Sequence, residues 1–205
     1  MNGSIARSRD SVVESPGHLF DKYRMNINTD AFSHGQIVSK LWLCDELDKF
    51  LSPQMNITIL GGWYNVLGFM LMTRHSDIGQ IMNVDIDPDA ILLADKVCDA
   101  WPNVLNFCDD ANSAISMFKS DLVINCSPEH FDNNDWFGSV EPGSLVCIQS
   151  SDMTDPNHPW LIKQPSPDIQ TFLERFPVSE VLFTGTKRIQ YASWGYNRFM
   201  LIGRK

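Results

Sequence analysis

The chain reads as an α/β protein: a doubly wound, mostly parallel sheet with an antiparallel strand pair at its C-terminal end. Three observations predict this. Five short apolar runs alternate with helix-patterned segments between Ile57 and Gln149, the pattern of parallel strands joined by crossover helices and covered on both faces. The first run ends directly in Gly61-Gly62 and the second ends on Asp85, a glycine turn and a carboxylate at neighbouring strand ends. Two further apolar runs, 181–184 and 198–202, are joined by a polar segment, which suits an antiparallel pair on the sheet edge.

In chain order, residues 1–30 are polar and without clear periodicity, and read as a flexible arm. Residues 31–205 read as a single domain, in keeping with a chain of 205 residues. Ile37, Leu41, Leu43, Cys44, Leu47 and Phe50 recur at helical spacing over 34–51. Ser33 is placed to cap this helix with Gln36 three residues on, and Pro53 to end it. The first strand is expected at 57–60, a short apolar helix at 66–73 and a second strand at 79–85. A helix over 89–100 follows Pro88, with Asp87 suited to cap it. A strand at 104–107, a weaker helix at 111–118 and strands at 122–125 and 144–149 complete the alternation, the last announced by the turn Glu141-Pro142-Gly143. Residues 152–167 carry four prolines and form a long loop, of the kind that is functional or disordered in compact domains. A helix at 168–175 precedes the terminal pair.

Composition narrows the classes. Hydrophobic residues make up 43% and charged residues 20%, enough for a substantial core. The net charge of -9 disfavours a duplex-binding surface, since the longest basic clusters are Lys187-Arg188 and Arg204-Lys205. No apolar run is long enough to span a membrane. The five cysteines, Cys44, Cys98, Cys108, Cys126 and Cys147, are odd in number and show no C-x-x-C spacing. They read as reduced thiols of a cytoplasmic protein, and no metal-ligand spacing is present.

Glycine permits positive φ and close approach to the main chain, so Gly61-Gly62 after the first strand suggests a turn pressed against a ligand. The dinucleotide pattern G-x-G-x-x-G is missing, because Trp63 stands where its second glycine belongs. That weakens a pyrophosphate cradle. Asp85, about 24 residues beyond Gly61, is placed to accept hydrogen bonds from ribose hydroxyls. The pair suggests a nucleoside without a bound pyrophosphate.

With VDIDP at 84–88, CDDAN at 108–112 and DLVINCSPEH at 121–130 following the glycine turn, the stretch 57–149 resembles the class I S-adenosylmethionine-dependent methyltransferases, whose fold is Rossmann-like. GGWY, CSPEH and the terminal RFMLIGR also resemble a divergent bacterial and phage group of unclear activity. The resemblance implies S-adenosyl-L-methionine as cofactor. It implies Gly61 and Gly62 along the methionine part, with Trp63, Tyr64 and Asn65 in the same turn, and Asp85 and Ile86 at the ribose. It implies Asp110 and Ala111 at the adenine edge, and Asn125 and Cys126 through Glu129 facing the methyl group and acceptor. Gln36 lies on the helix that covers the cofactor in such folds. The sequence departs from the family pattern at Ile59, where an acidic residue is usual, and at Trp63 and Asn65, where glycines are usual. NCSP only loosely matches the N-P-P-Y tetrad, so base methylation is not implied.

Asn125, Glu129 and His130 are the candidate catalytic residues. A carboxylate and an imidazole just past a strand end can orient an acceptor or take its proton. The plainer alternatives are a capping Glu129 and a His130 bonded within its loop. Lys40 reads as a solvated helix face. Gln149 through Asp152 are suited to substrate selection, and Tyr191, Tyr196 and Arg198 are weaker candidates. The expected function is a methyltransferase acting on a small acceptor, of unknown oligomeric state. The alternatives are a nucleoside- or cofactor-binding module without methyl transfer, and a nicotinamide-dependent oxidoreductase, which the glycine pattern does not suit.

Overall fold

The computed structural model describes residues 27–154 and 161–205. The expected N-terminal arm, up to residue 26, and residues 155–160 of the proline-bearing loop lie outside the described residues.

Among the described residues, seven strands form one sheet: β1 (Asn56–Leu60), β2 (Gln80–Asp85), β3 (Val104–Cys108), β4 (Leu122–Asn125), β5 (Leu145–Ser151), β6 (Glu180–Gln190) and β7 (Gly195–Arg204), in the order β3-β2-β1-β4-β5-β7-β6. The first five run parallel, and β7 pairs antiparallel with both β5 and β6. The helices are α1 (His34–Leu47), α2 (Val66–Arg74), α3 (Pro88–Val97), α4 (Ala111–Ala114), α5 (Asp135–Gly138) and α6 (Ile169–Arg175).

Strand residues alternate between two cores, as a pleated sheet requires. Leu122, Ile124, Leu145, Cys147, Met200 and Ile202 face the side covered by Leu43 and Leu47 of α1 and Leu67 and Leu71 of α2. Val123, Val146, Ile148, Phe199 and Leu201 face the other side, where Trp136 and Phe137 of α5 and Phe172 of α6 pack. Burial on both faces is why these strands read as continuous apolar runs rather than alternating ones.

Several boundaries differ from the sequence expectation. Helix α1 ends at Leu47, well before Pro53: the N–H groups of Phe50 and Leu51 both return to the Leu47 carbonyl, closing a tight turn. Helix α4 is only four residues long. The Met117 N–H returns to the Ala114 carbonyl at 2.9 Å, closing a tight turn, and Phe118 packs against Phe107 with ring centroids 4.9 Å apart. Strands β6 and β7 extend to 11 and 10 residues, beyond their apolar runs. Thr184, Thr186 and Arg188 of the edge strand β6 are exposed, so polar residues continue it, whereas β7 is buried from Arg198 to Gly203.

The chain runs outward from β1 to β2 and β3, then returns to β4 on the other side of β1. The crevice at that reversal, beyond the carboxyl ends of the strands, is where open α/β sheets bind ligands.

Candidate functional site

A cavity of about 510 Å³ opens at this reversal, within the range for small-molecule sites. Its wall includes Gly61, Gly62 and Trp63 after β1, Asp85 and Ile86 after β2, Asp110 and Ala111 after β3, and Cys126, Glu129 and His130 after β4. Gln36 of α1 also lines it. Tyr64, Asn65 and Asn125 are not on the wall. They stand behind it.

The turn after β1 is unusually constrained. Gly61 has φ +63°, and Trp63 (φ 52°) and Asn65 (φ 54°) repeat the left-handed conformation that side chains disfavour. The Gly61 and Gly62 N–H groups donate to the Val84 carbonyl at 2.8 and 3.3 Å. Asp85 braces the same turn: its Oδ2 accepts the Trp63 N–H at 2.7 Å and its Oδ1 accepts the Asp87 N–H at 3.0 Å. Asn65 caps α2 by accepting the Gly68 N–H at 3.1 Å and donates to Asn106 Oδ1 at 3.0 Å. Tyr64 stacks behind Trp63, centroids 4.7 Å apart, and its hydroxyl accepts the Asn28 N–H.

The close approaches that demand glycine come from the chain itself. A Cβ on Gly62 would lie 1.8 Å from Asn83 Oδ1, and one on Gly61 would lie 2.7 Å from Ser127 Oγ and 3.0 Å from the Phe131 ring. From the sequence alone, that closeness suggests a ligand. In the structure the glycines line the cavity with their near sides filled by β2 and by the segment after β4.

Partial burial, opposed by the backbone N–H bonds, raises the Asp85 carboxyl above its ordinary value. Each of its oxygens has taken one backbone donor and keeps a further lone pair for a ligand. Asp110 caps α4 by accepting the Asn112 N–H at 2.9 Å, and Asp109 accepts the Asp110 N–H at 2.7 Å. Asp87 caps α3.

The segment after β4 is a 3₁₀ turn, Pro128–His130. Asn125 is fully buried and its Oδ1 accepts the Ser127 N–H at 2.9 Å. Glu129 is 2% exposed, and its Oε1 accepts from Arg198 Nη1 at 3.1 Å and from the Ser151 hydroxyl at 3.3 Å. The Arg198 Nη2 donates to the Cys126 carbonyl. Among the described residues, Glu129 Oε2 and Arg198 Nε have no hydrogen-bond partner. The His130 Nδ1 lies 2.5 Å from the Leu161 carbonyl. A neutral ring must place its proton there, which leaves Nε2 as the basic nitrogen.

Two residues given little weight by the sequence reading also line the cavity, Lys40 and Arg198. Lys40 is partly buried and donates to Gln36 Oε1. Burial lowers its amine to about 8, with Arg198 pushing the same way and Cys126 and Asp30 opposing. The signal in the sequence is the i, i+4 spacing of Gln36 and Lys40, which puts both on one helix face. Gln149, Ser150 and Ser151, read as substrate-selecting, are instead fully buried and absent from the wall. They tie β5 to Ser39, Ser166 and Glu129.

No family model matches the sequence, and no curated protein does. Solved structures resemble it in shape. The N-methyltransferase NodS from Bradyrhizobium japonicum WM9, in complex with S-adenosyl-L-homocysteine, is 14% identical with a TM-score of 0.60, over 90% of this chain and 93% of NodS. YcgJ from Bacillus subtilis is 10% identical with a TM-score of 0.60, over 80% of this chain and 98% of YcgJ. TehB from Haemophilus influenzae is 13% identical with a TM-score of 0.57, over 91% of this chain and 66% of TehB. The fold is that of the class I S-adenosylmethionine-dependent methyltransferases.

Proposed function

We propose that the protein is an S-adenosylmethionine-dependent methyltransferase acting on a small acceptor. The observation that carries this reading is the shared cavity: the glycine turn after β1, the carboxylate ending β2 and the segment after β4 all line one crevice at the sheet reversal. When bound, S-adenosylmethionine supplies an electrophilic methyl group on a sulfonium.

The residues present suit that cofactor. Asp85 has lone pairs left for the ribose hydroxyls while its backbone bonds hold it still. Ile86 is 73% exposed beside it and offers an apolar surface for the base. Asp110 and Ala111 stand at the expected adenine edge, and Trp63 presents an aromatic surface to a cation. Gly61, Gly62 and Gln36 close the methionine part, and Asn125 shapes the exit of β4 from behind.

At the acceptor side, His130 is the better candidate for holding the proton released by the acceptor, through Nε2. Glu129 is engaged through Oε1 and orients Arg198. The rate advantage would come mostly from positioning. Titration calorimetry with S-adenosylmethionine and S-adenosylhomocysteine tests the reading, and micromolar binding of both is expected. Failure of either to bind at millimolar concentration overturns it. A cofactor-binding module without transfer is the second reading, favoured by Ile59 at the position of the usual acid. It predicts the same binding with no turnover on any acceptor.

A further inference from the structure

The cavity wall carries both signs of charge, and most of that charge is matched or has a role. Its carboxylates are Asp30, Asp85, Asp109, Asp110, Glu129 and Asp132, and its lysine and arginine cations are Lys40, Lys163 and Arg198. Glu129 pairs with Arg198 at 3.1 Å, and Asp132 with Lys163 at 2.7 Å. Asp85 ends β2, and Asp109 and Asp110 follow β3, on the side read above as that of the ribose and base. One carboxylate and one cation remain, Asp30 and Lys40.

Local structure holds these two groups near each other. Asp30 sits in a 3₁₀ turn, Thr29–Phe32, directly before α1, and Lys40 lies on α1. The Asp30 N–H donates to Asn28 Oδ1 at 3.0 Å, and its carbonyl accepts the Ser33 N–H at 2.9 Å. The Asn28 N–H in turn donates to the Tyr64 hydroxyl, and Ala31 packs in one buried cluster with Tyr64 and Val66. The turn is therefore fastened to the loop that follows β1. The Asp30 carboxylate has no hydrogen bond or ion pair among the described residues. Lys40 donates to the neutral Gln36 Oε1, which aims the amine without neutralising it. Burial lowers the Lys40 amine, and Asp30 is near enough to oppose that.

The methionine end of S-adenosylmethionine is a zwitterion, an ammonium and a carboxylate on one carbon. The β1 turn offers it Ile59, Gly61 and Gly62, none of them charged. Two opposite charges left over on one wall complement such a group, whereas a ligand group of a single sign leaves one of them unmatched. Resting on the methyltransferase reading above, we propose that Asp30 and Lys40 form the amino-acid clamp of the cofactor, with Asp30 accepting from the ammonium and Lys40 donating to the carboxylate. Gln36 orients Lys40 within the clamp. The acid that answers the ammonium then comes from outside the sheet, from the turn in front of α1, so Ile59 can occupy β1 without leaving the ammonium unpaired.

The test is titration calorimetry on the full chain with three probes: S-adenosylhomocysteine, its decarboxylated analogue, and 5′-methylthioadenosine, which lacks the amino-acid group altogether. The native protein is expected to bind S-adenosylhomocysteine about tenfold or more tighter than 5′-methylthioadenosine. Asp30→Asn and Lys40→Met should each weaken S-adenosylhomocysteine about tenfold and leave 5′-methylthioadenosine within about twofold. The unchanged 5′-methylthioadenosine affinity also shows that each variant is folded, as the exposure of Asp30 leads one to expect. The decarboxylated analogue should be weakened by Asp30→Asn and not by Lys40→Met, which assigns each residue to its own half of the zwitterion. The proposal is overturned if neither variant changes S-adenosylhomocysteine affinity, or if either weakens 5′-methylthioadenosine equally. It is also overturned if Lys40→Met weakens the decarboxylated analogue as much as S-adenosylhomocysteine. Equal binding of S-adenosylhomocysteine and 5′-methylthioadenosine by the native protein would remove the clamp and leave the cofactor reading standing. Binding of neither would remove both.

Discussion

The two ends of the cavity are built differently. At the β2–β3 end every carboxylate stands at or directly after its own strand, and each accepts a backbone N–H from a residue one to two positions on. That end is made of local geometry. At the α1–β7 end the charges come from positions 40, 129 and 198, joined only by the docking of α1 and the antiparallel insertion of β7. That end is made of tertiary packing. The difference teaches where loss of one side chain is repaired by solvent and where it is not.

The largest effect is therefore expected at the packed end. Glu129→Ala leaves Arg198 buried without its counter-charge and should cost about 3–5 kcal/mol of stability, read by chemical denaturation. Replacing both residues by apolar ones of similar size should recover most of that loss. If Glu129→Ala is tolerated as well as Asp85→Ala is, the contrast between the two ends is broken.

Next comes the turn that joins them. Gly62→Ala drives a methyl group into Asn83 Oδ1, and overpacking of this kind costs about 1–3 kcal/mol. Asn83 is also held by Asn106, which donates in turn to Asp95, so it cannot step aside freely. Asn83→Ala in the same chain should recover part of the loss, and a double-mutant cycle should show coupling of about 1 kcal/mol or more. Simple additivity would mean that the asparagine does not brace the glycine turn.

At the local end the effect should appear in binding. Asp85→Asn keeps the shape but weakens acceptance from ribose hydroxyls, so S-adenosylhomocysteine affinity should drop about 10- to 100-fold, or ~1.4–2.7 kcal/mol. Because burial raises the Asp85 carboxyl, the native affinity should begin to fall at a higher pH than an ordinary carboxylate would allow as the solution is acidified. An unchanged affinity in Asp85→Asn would remove Asp85 from the ribose role.

The same division explains what the sequence discloses. Gly61 follows β1, Asp85 ends β2 and Asp110 stands two residues past β3, so locating the strands locates them, and the capping by Ser33, Asp87 and Asp110 is written in neighbouring residues. The parallel sheet was legible because burial on both faces leaves an apolar run. The full length of β6 was not, because Thr184, Thr186 and Arg188 face water and interrupt that signal. Nothing along the chain brings positions 40 and 198 together, so their meeting on one wall is not legible in the sequence. Gln149 to Ser151 look like pocket residues only until β7 and Ser166 cover them. Polar character alone does not say whether a strand end opens into a cavity or is sealed by its neighbours.

The smallest expected effect sharpens the comparison from the packed end. Lys40 has a folded-state amine near 8 against an ordinary value of 10.5. Between those values the unfolded chain holds a proton that the folded chain has released, so stability rises with pH through that window. Below about 8 both states carry the proton, and the penalty for charging a desolvated amine is fully present. Partial exposure screens this penalty, so the rise is modest. Asp85 gives no matching slope there, since carboxylates have finished titrating well below that pH. Denaturation midpoints measured from pH 7 to pH 10 should therefore rise in the native chain relative to Lys40→Met, which has no proton to release. Parallel curves for the two proteins would show that the amine is solvated like any surface lysine, and the packed end would lose that distinguishing feature.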